Sequence, residues 1–244
     1  MTLSRRSWLR AAVGVVAAFS SRVIAQDHYA GARENLLREI ESDMRATARD
    51  TGQPALGAAV RRALATVPRE RFVPTHLAEF AYENRPLPIG EGQTISQPFI
   101  VALMTELLQP KPDHVVLEVG TGSGYQAAVL AQCVAKVYSI EIVAPLARRA
   151  RAALDAAGYR NVETRIGDGY QGWPEAAPFD GIIVTAAPDH VPPRLIEQLK
   201  PGGRLVIPVG PRTATQELLV IEKGADGQAI SRRILTVRFV PLIR

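Results

Sequence analysis

Apolar residues recur along this chain with two different periods, and the change from one to the other divides it. Over residues 29–50, Leu36, Leu37, Ile40 and Met44 fall at helical spacing among Arg, Glu and Ala, which predicts an amphipathic helix. Gly52 and Pro54 end it, and a second helix fits Leu56–Ala65. Val67–Pro74, bounded by prolines, predicts an irregular packed segment, and Tyr82–Gly92, dense in Pro and Gly, predicts a loop. Gln97–Leu108 predicts a further helix with Pro98 in its first turn, where a missing N–H costs nothing.

From residue 113 short β-branched runs alternate with helical ones. His114–Val119, Lys136–Ile140, Asn161–Ile166, Phe179–Thr185 and Arg204–Val209 predict strands, and Tyr125–Cys133, Pro145–Ala157 and Arg194–Leu199 the intervening helices. Alternation of this kind predicts an α/β fold whose mostly parallel, doubly wound sheet is covered on both faces. Glu217–Ile221 and Ile234–Phe239 flank a turn containing Asp226-Gly227 and predict a C-terminal antiparallel hairpin, which makes seven strands. Residues 26–112 are then a helical N-terminal extension and 113–244 the α/β core, together one compact domain.

The strongest chemical signal is Val115-Val-Leu-Glu-Val-Gly-Thr-Gly-Ser-Gly124, a buried strand ending in an acid and a loop with glycine at every second position. Such a loop lets backbone approach a bulky polar ligand more closely than a Cβ permits. A dinucleotide fingerprint needs G-x-G-x-x-G, and its third glycine is here Tyr125. The pattern E-x-G-x-G-x-G instead resembles the cofactor loop of S-adenosylmethionine-dependent methyltransferases.

In an open parallel sheet a ligand sits at the C-terminal strand ends. There Gly120, Gly122 and Gly124 would form a floor beside Tyr125, and Glu118 could meet an ammonium group directly or through water. Glu141, followed by Ile142, ends the second strand, where an acceptor-only carboxylate can take both hydroxyls of a ribose. Asp168-Gly169, at the tip of the third strand, suits an adenine amino group.

Charge narrows the partners. Of 29 Lys and Arg, four (Arg5, Arg6, Arg10, Arg22) lie in residues 1–25 with no acid, leaving 25 bases against 24 acids. The formal charge of +5 is therefore mostly N-terminal, and no basic footprint for nucleic acid remains. Arg148, Arg149 and Arg151 read as the solvated face of a helix. Cys133 stands alone in an apolar stretch and reads as a small buried side chain. The four histidines are scattered, so no metal site is expected. Residues 1–25 have the order of a secretory signal of the twin-arginine type: Arg5-Arg6, then the uncharged Ala11–Phe19, then Val23-Ile-Ala25. Nine uncharged residues fall far short of the roughly 20 that span a bilayer, so export without stable membrane insertion is the expectation.

A second constellation, Pro88-Ile-Gly-Glu-Gly-Gln-Thr-Ile-Ser-Gln-Pro98, carries two hydroxyls two residues apart and feeds a helix N-terminus. Thr94 and Ser96 could hold a carboxylate there, or Ser96 could simply cap the helix. With Val67-Pro-Arg-Glu-Arg-Phe-Val73, Gly167-Asp-Gly169, Asp180-Gly-Ile-Ile-Val-Thr-Ala-Ala-Pro188, Leu199-Lys-Pro-Gly-Gly203 and Phe239-Val-Pro-Leu242, these segments resemble, in order, the protein-L-isoaspartate O-methyltransferases over residues 35–243. The resemblance implies a Rossmann-like fold, S-adenosylmethionine as cofactor, and methyl transfer to the α-carboxylate of L-isoaspartyl residues in damaged proteins. By the same implication the ester then collapses unaided to a succinimide, and the enzyme is a monomer. It implies that Ser96 is the active-site serine, that Gln93, Thr94, Ile95 and Ser96 border cofactor and substrate together, and that Thr185 meets the substrate. The family is normally cytoplasmic, so the signal-like segment is a departure that leaves two compartments open. A methyltransferase acting on another carboxylate, or an exported non-enzymatic binding module with this fold, are the alternatives.

Overall fold

A computed structural model describes residues 28–244; the signal-like segment 1–25 lies outside them. Helices α1 (Ala30–Ala46), α2 (Ala48–Thr51) and α3 (Ala58–Thr66) open the described chain. The apolar stripe of α1, Leu36, Leu37, Ile40 and Met44, is buried as its spacing requires. Two 3-10 turns, Arg69–Phe72 and Thr75–Phe80, make up the proline-bounded stretch. The expected loop Tyr82–Gly92 departs from its prediction, because Leu87–Gly90 (β1) pairs antiparallel with Gln93–Ile95 (β2). A tight turn joins them, with positive φ at Gly90, Glu91 and Gly92. Breakers mask so short a ribbon in sequence, but here Leu87, Ile89 and Ile95 point inward while Pro88 and Thr94 face out.

Helix α4 (Pro98–Leu108) follows, buried on nearly every side. It packs against α1 and α3 on one side and the sheet on the other. The sheet contains β3 (Val115–Val119), β4 (Lys136–Glu141), β5 (Val162–Ile166), β6 (Phe179–Val184), β7 (Leu199–Val209), β8 (Gln216–Lys223) and β9 (Ala229–Val237). Between strands run α5 (Tyr125–Ala131), α6 (Ala144–Ala156) and α7 (Pro193–Glu197). The order is β5-β4-β3-β6-β7-β8-β9, parallel through β7 and antiparallel thereafter. Successive residues of each central strand enter opposite cores, Val116 and Ile183 under α4, Leu117 and Ile182 on the other face. Gly181 leaves room for α4: a Cβ there would lie 2.9 Å from Leu108 Cδ1.

The last strands differ from the sequence expectation, and β9, like β7, begins five residues early, at Ala229. Strand β7 begins five residues early, running through Pro201-Gly202-Gly203 as an irregularity opposite Phe179–Gly181. Strand β9 ends at Val237, and the tail turns away to place Pro241 beside Ala187. Among the described residues no helix is long and apolar enough to cross a membrane.

The segment ahead of α4 is thus anchored through a helix in the core, and core truncation should be felt globally. Leu103→Ala in α4, a fully buried position, should lower unfolding free energy by about 2–5 kcal/mol in urea titration.

Candidate active site

Parallel strand order reverses between β3, which continues to β4 on one side, and β6 on the other, and the first loop leaves the sheet at this switch point. Gly120 turns there with φ 97°, a conformation L side chains rarely adopt. A Cβ on it would meet Thr185 Oγ1 at 2.5 Å. That hydroxyl donates to Gly120 O at 2.6 Å, while the Thr185 N–H donates to Val119 O at 2.9 Å. Gly124 also has positive φ and opens α5, but its α-carbon faces α6, where a Cβ would come within 3.2 Å of Leu154.

The carboxylates have separate environments. Glu141 is buried at the end of β4; its Oε2 accepts from Gly122 N (2.8 Å) and its Oε1 from Val143 N (2.9 Å). Each oxygen keeps a free acceptor position, as a diol requires. Glu118 is wholly buried under the loop and faces Ser139 across the β3–β4 ladder. Ser139 Oγ is hydrogen-bonded to Glu118 Oε2 and lies 2.6 Å from Thr121 Oγ1, whereas Glu118 Oε1 has no partner. Burial pushes its carboxyl up to about 8, assisted by the charge of Glu141 and opposed by the Ser139 hydrogen bond. Asp168 instead caps its own turn, accepting from Tyr170 N at 2.9 Å.

On the opposite wall, Ser96 follows β2 and precedes α4. The helix cap is Gln97, without a side-chain cap bond, so Ser96 is not the N-cap that one reading expected. Its carbonyl accepts from Arg69 Nη2 at 2.8 Å. The hairpin is held on α6 by Arg149, whose Nη2 donates to Ile89 O at 2.7 Å, and Ile89 packs over Gly122. Arg149 therefore does more than decorate a solvated helix face.

Between these walls lies a cleft of about 740 Å³ including its mouth. Of the residues singled out in sequence, Gln93, Thr94, Ile95, Ser96, Glu118, Gly120, Gly122, Tyr125, Glu141, Ile142, Gly169 and Thr185 line it. Gly124 and Asp168 do not line it: the first is turned toward α6 and the second is half-buried beside Gly169. Thr185 borders the cleft with its hydroxyl proton already committed to Gly120 O, so it braces the loop and has no donor to spare. Sequence reasoning did not single out the tail Val240–Ile243 as lining, nor Ser139 and Arg69; only the fold brings them here. An unpaired buried carboxyl oxygen, an acceptor-only carboxylate and a floor without Cβ atoms suit a ligand with a cationic group and a vicinal diol. Among the described residues no group of three or more His, Cys, Asp or Glu is placed to hold a metal ion.

The buried carboxyl gives a pH prediction. A folded pKa raised from 4.5 to about 8 means the folded chain holds a proton that the unfolded chain has released. This contribution to stability is complete below about 4.5 and lost as pH rises to about 8. Relative to Glu118→Gln, the ligand-free protein should therefore lose Tm steadily between those values; parallel Tm curves would mean that Glu118 is ionised when folded.

The sequence model of Protein-L-isoaspartate(D-aspartate) O-methyltransferase matches residues 43–244. Relatives similar to this chain include Protein-L-isoaspartate O-methyltransferase 2 of Syntrophobacter fumaroxidans, 56% identical over 89% of this chain and 88% of its own. Protein-L-isoaspartate O-methyltransferase of Opitutus terrae is 52% identical over 97% of this chain and 99% of its own. A solved protein-L-isoaspartate O-methyltransferase superposes with a TM-score of 0.74 at 30% identity, covering 86% of this chain, which spans 65% of that one. A putative protein-L-isoaspartate O-methyltransferase from Plasmodium falciparum, solved with S-adenosyl-L-homocysteine, superposes at 0.71 with 25% identity over 88% of this chain and 98% of its own. The chain belongs to the protein-L-isoaspartate(D-aspartate) O-methyltransferase family.

Proposed function

We infer that this chain transfers a methyl group from S-adenosylmethionine to the α-carboxylate of L-isoaspartyl residues in damaged proteins and peptides. The observation that carries the reading is the pairing, across one cleft, of the glycine loop with the uncharged hydroxyl pair Thr94 and Ser96. When bound, S-adenosylmethionine supplies a methyl carbon already activated by its sulfonium, so the new carbon–oxygen bond forms as the carbon–sulfur bond breaks. An α-carboxylate has a reference pKa near about 3.5 and is ionised at neutral pH, so the residues need not remove a proton. Their task is alignment.

Gly120, Gly122 and Tyr125 support the methionine and ribose portions, and Glu141, beside Ile142, accepts from the ribose hydroxyls. Glu118 Oε1 receives the ammonium, directly or through water. Gly169 borders the adenine, with Asp168 behind it. The Ser96 and Thr94 hydroxyls, with Gln93 and Ile95 beside them, orient the acceptor carboxylate without neutralising it. Thr185 keeps the loop in place rather than donating to the substrate.

Purified protein with labelled cofactor should methylate an isoaspartyl peptide and leave its aspartyl twin unlabelled; equal or absent labelling of the two defeats the assignment. Ser96→Ala should lower kcat about tenfold or more while the Kd for S-adenosylhomocysteine stays within about twofold, the pattern of a group that acts on the acceptor.

For the compartment, the paired Arg5-Arg6 ahead of Ala11–Phe19 supports export by a twin-arginine route, with the cytoplasm as the alternative. Cell fractionation should find wild type outside the cytoplasm and the Arg5→Lys/Arg6→Lys double variant trapped inside. Wild type retained in the cytoplasm with its N-terminus intact decides for the alternative.

A further inference from the structure

Arg69 opens the first 3-10 turn and is the largest side chain among those fully buried. Its guanidinium donates from Nε to Ala81 O and from Nη2 to Ser96 O, both at 2.8 Å, and lies 4.7 Å from the centre of the Tyr125 ring. Nη1 has no partner. No carboxylate is among the groups that act on its charge, and although burial draws its pKa down to about 10, it remains a cation at neutral pH. A buried charge without a counter-ion is costly and is rarely left so unless something supplies the missing charge. Two carbonyl dipoles and a ring face compensate only part of it.

The location is specific. One contact is the carbonyl of Ser96, on the acceptor wall; another is Tyr125, the first residue of the helix that leaves the glycine loop. Donation to Ser96 O also polarises the Ser96–Gln97 amide, whose N–H becomes a better donor for an anion. A guanidinium in direct contact with the attacking oxygen would draw down its nucleophilicity. One peptide behind it, the same charge attracts the anion and leaves its lone pairs free, and the dry surroundings keep that attraction from being screened.

We propose that Arg69 is a positioning and specificity residue for the acceptor: it fixes the Ser96 carbonyl and supplies the buried positive charge by which the site selects a carboxylate over the isosteric neutral carboxamide. This rests on the reading that the acceptor carboxylate sits at Ser96, and the test separates the two.

The measurement is peptide affinity in the presence of S-adenosylhomocysteine, by fluorescence anisotropy, for an isoaspartyl peptide and for its α-carboxamide counterpart. Wild type should prefer the carboxylate. Arg69→Met, close in length and uncharged, should reduce that preference about tenfold or more, chiefly by weakening the isoaspartyl peptide. Both peptides are measured at saturating S-adenosylhomocysteine, because Arg69 also lies 4.7 Å from the centre of the Tyr125 ring on the cofactor wall. Arg69→Lys keeps the charge but cannot reach both carbonyls, so it should keep the preference within about threefold and lose kcat. A merely structural role would weaken both peptides together and leave their ratio where it was. If Arg69→Met does not fold, Arg69→Gln, which keeps a donor for one carbonyl and removes the charge, decides: a preference reduced about tenfold supports the proposal, and an unchanged ratio overturns it. An unchanged ratio in Arg69→Met overturns the role of Arg69 alone. Wild type with no preference for the carboxylate overturns the reading of Ser96 beneath it.

Discussion

The contact between Thr185 and the Val119–Gly120 backbone sets the position of everything in the cleft. β3 and β6, parallel neighbours on either side of the switch point, are tied at their carboxyl ends by the Thr185 N–H on Val119 O and the Thr185 hydroxyl on Gly120 O. The hydroxyl fills the space that any Cβ at residue 120 would need. Glycine at 120 is therefore demanded twice, by a positive φ and by this close approach, before any ligand is considered. With the turn fixed, Gly122 N reaches Glu141, and the end of β4 is drawn to the same point. The donor side of the site is thus built from three strand ends bound to one another, which is the rigid kind of support that alignment chemistry needs.

The hairpin side is assembled differently. A ribbon of two short strands is marginal alone, and this one is held by its surroundings. Arg149 grips the Ile89 carbonyl, Ile89 packs over Gly122, and Arg69 grips the Ser96 carbonyl from below. Behind it α4 is buried on nearly every side, so the segment that carries Thr94 and Ser96 is anchored to the sheet through a helix. Hairpin and glycine loop share the Ile89–Gly122 contact, which keeps the two walls in register.

Much of this was legible in sequence because it follows from local pattern. Strands β3, β4 and β6 announce themselves as apolar, β-branched runs and the edge strand β5 as a short alternating one, and all four stand within a residue or two of expectation. The glycine loop and Glu141 were legible because each stands at a strand end. The β1–β2 hairpin was hidden by Pro86, Pro88, Gly90 and Gly92, whose breaking tendency outweighs a four-residue alternation. Gly124 and Asp168 were assigned to the cleft from spacing alone; spacing does not report which way a turn faces, and Gly124 is turned toward α6 while one oxygen of Asp168 caps its own turn beside the cleft. The tail Val240–Ile243 and Arg69 lie in the cleft wall or behind it only through contacts distant in sequence. Nothing local marks an arginine between proline and glutamate as a core residue.

No residue from Gln93 to Ser96 is charged, yet a cation lies directly behind them in the fold. Among the described residues, two buried side-chain polar atoms lack a partner, Glu118 Oε1 and Arg69 Nη1. One belongs to an acid under the glycine loop, the other to a cation behind Ser96. Methyl transfer from a sulfonium to a carboxylate brings together a positively charged donor and a negatively charged acceptor, and both charges are consumed as the product ester forms. A site that matched each reactant with a strong counter-charge in contact would hold reactants better than the transition state and slow the reaction. Here the acid under the glycine loop holds a proton when no ligand is present, and the cation behind Ser96 stands one peptide back from the cleft. On the proposed assignment each wall attracts its own reactant, yet neither places a formal charge against the bond that forms.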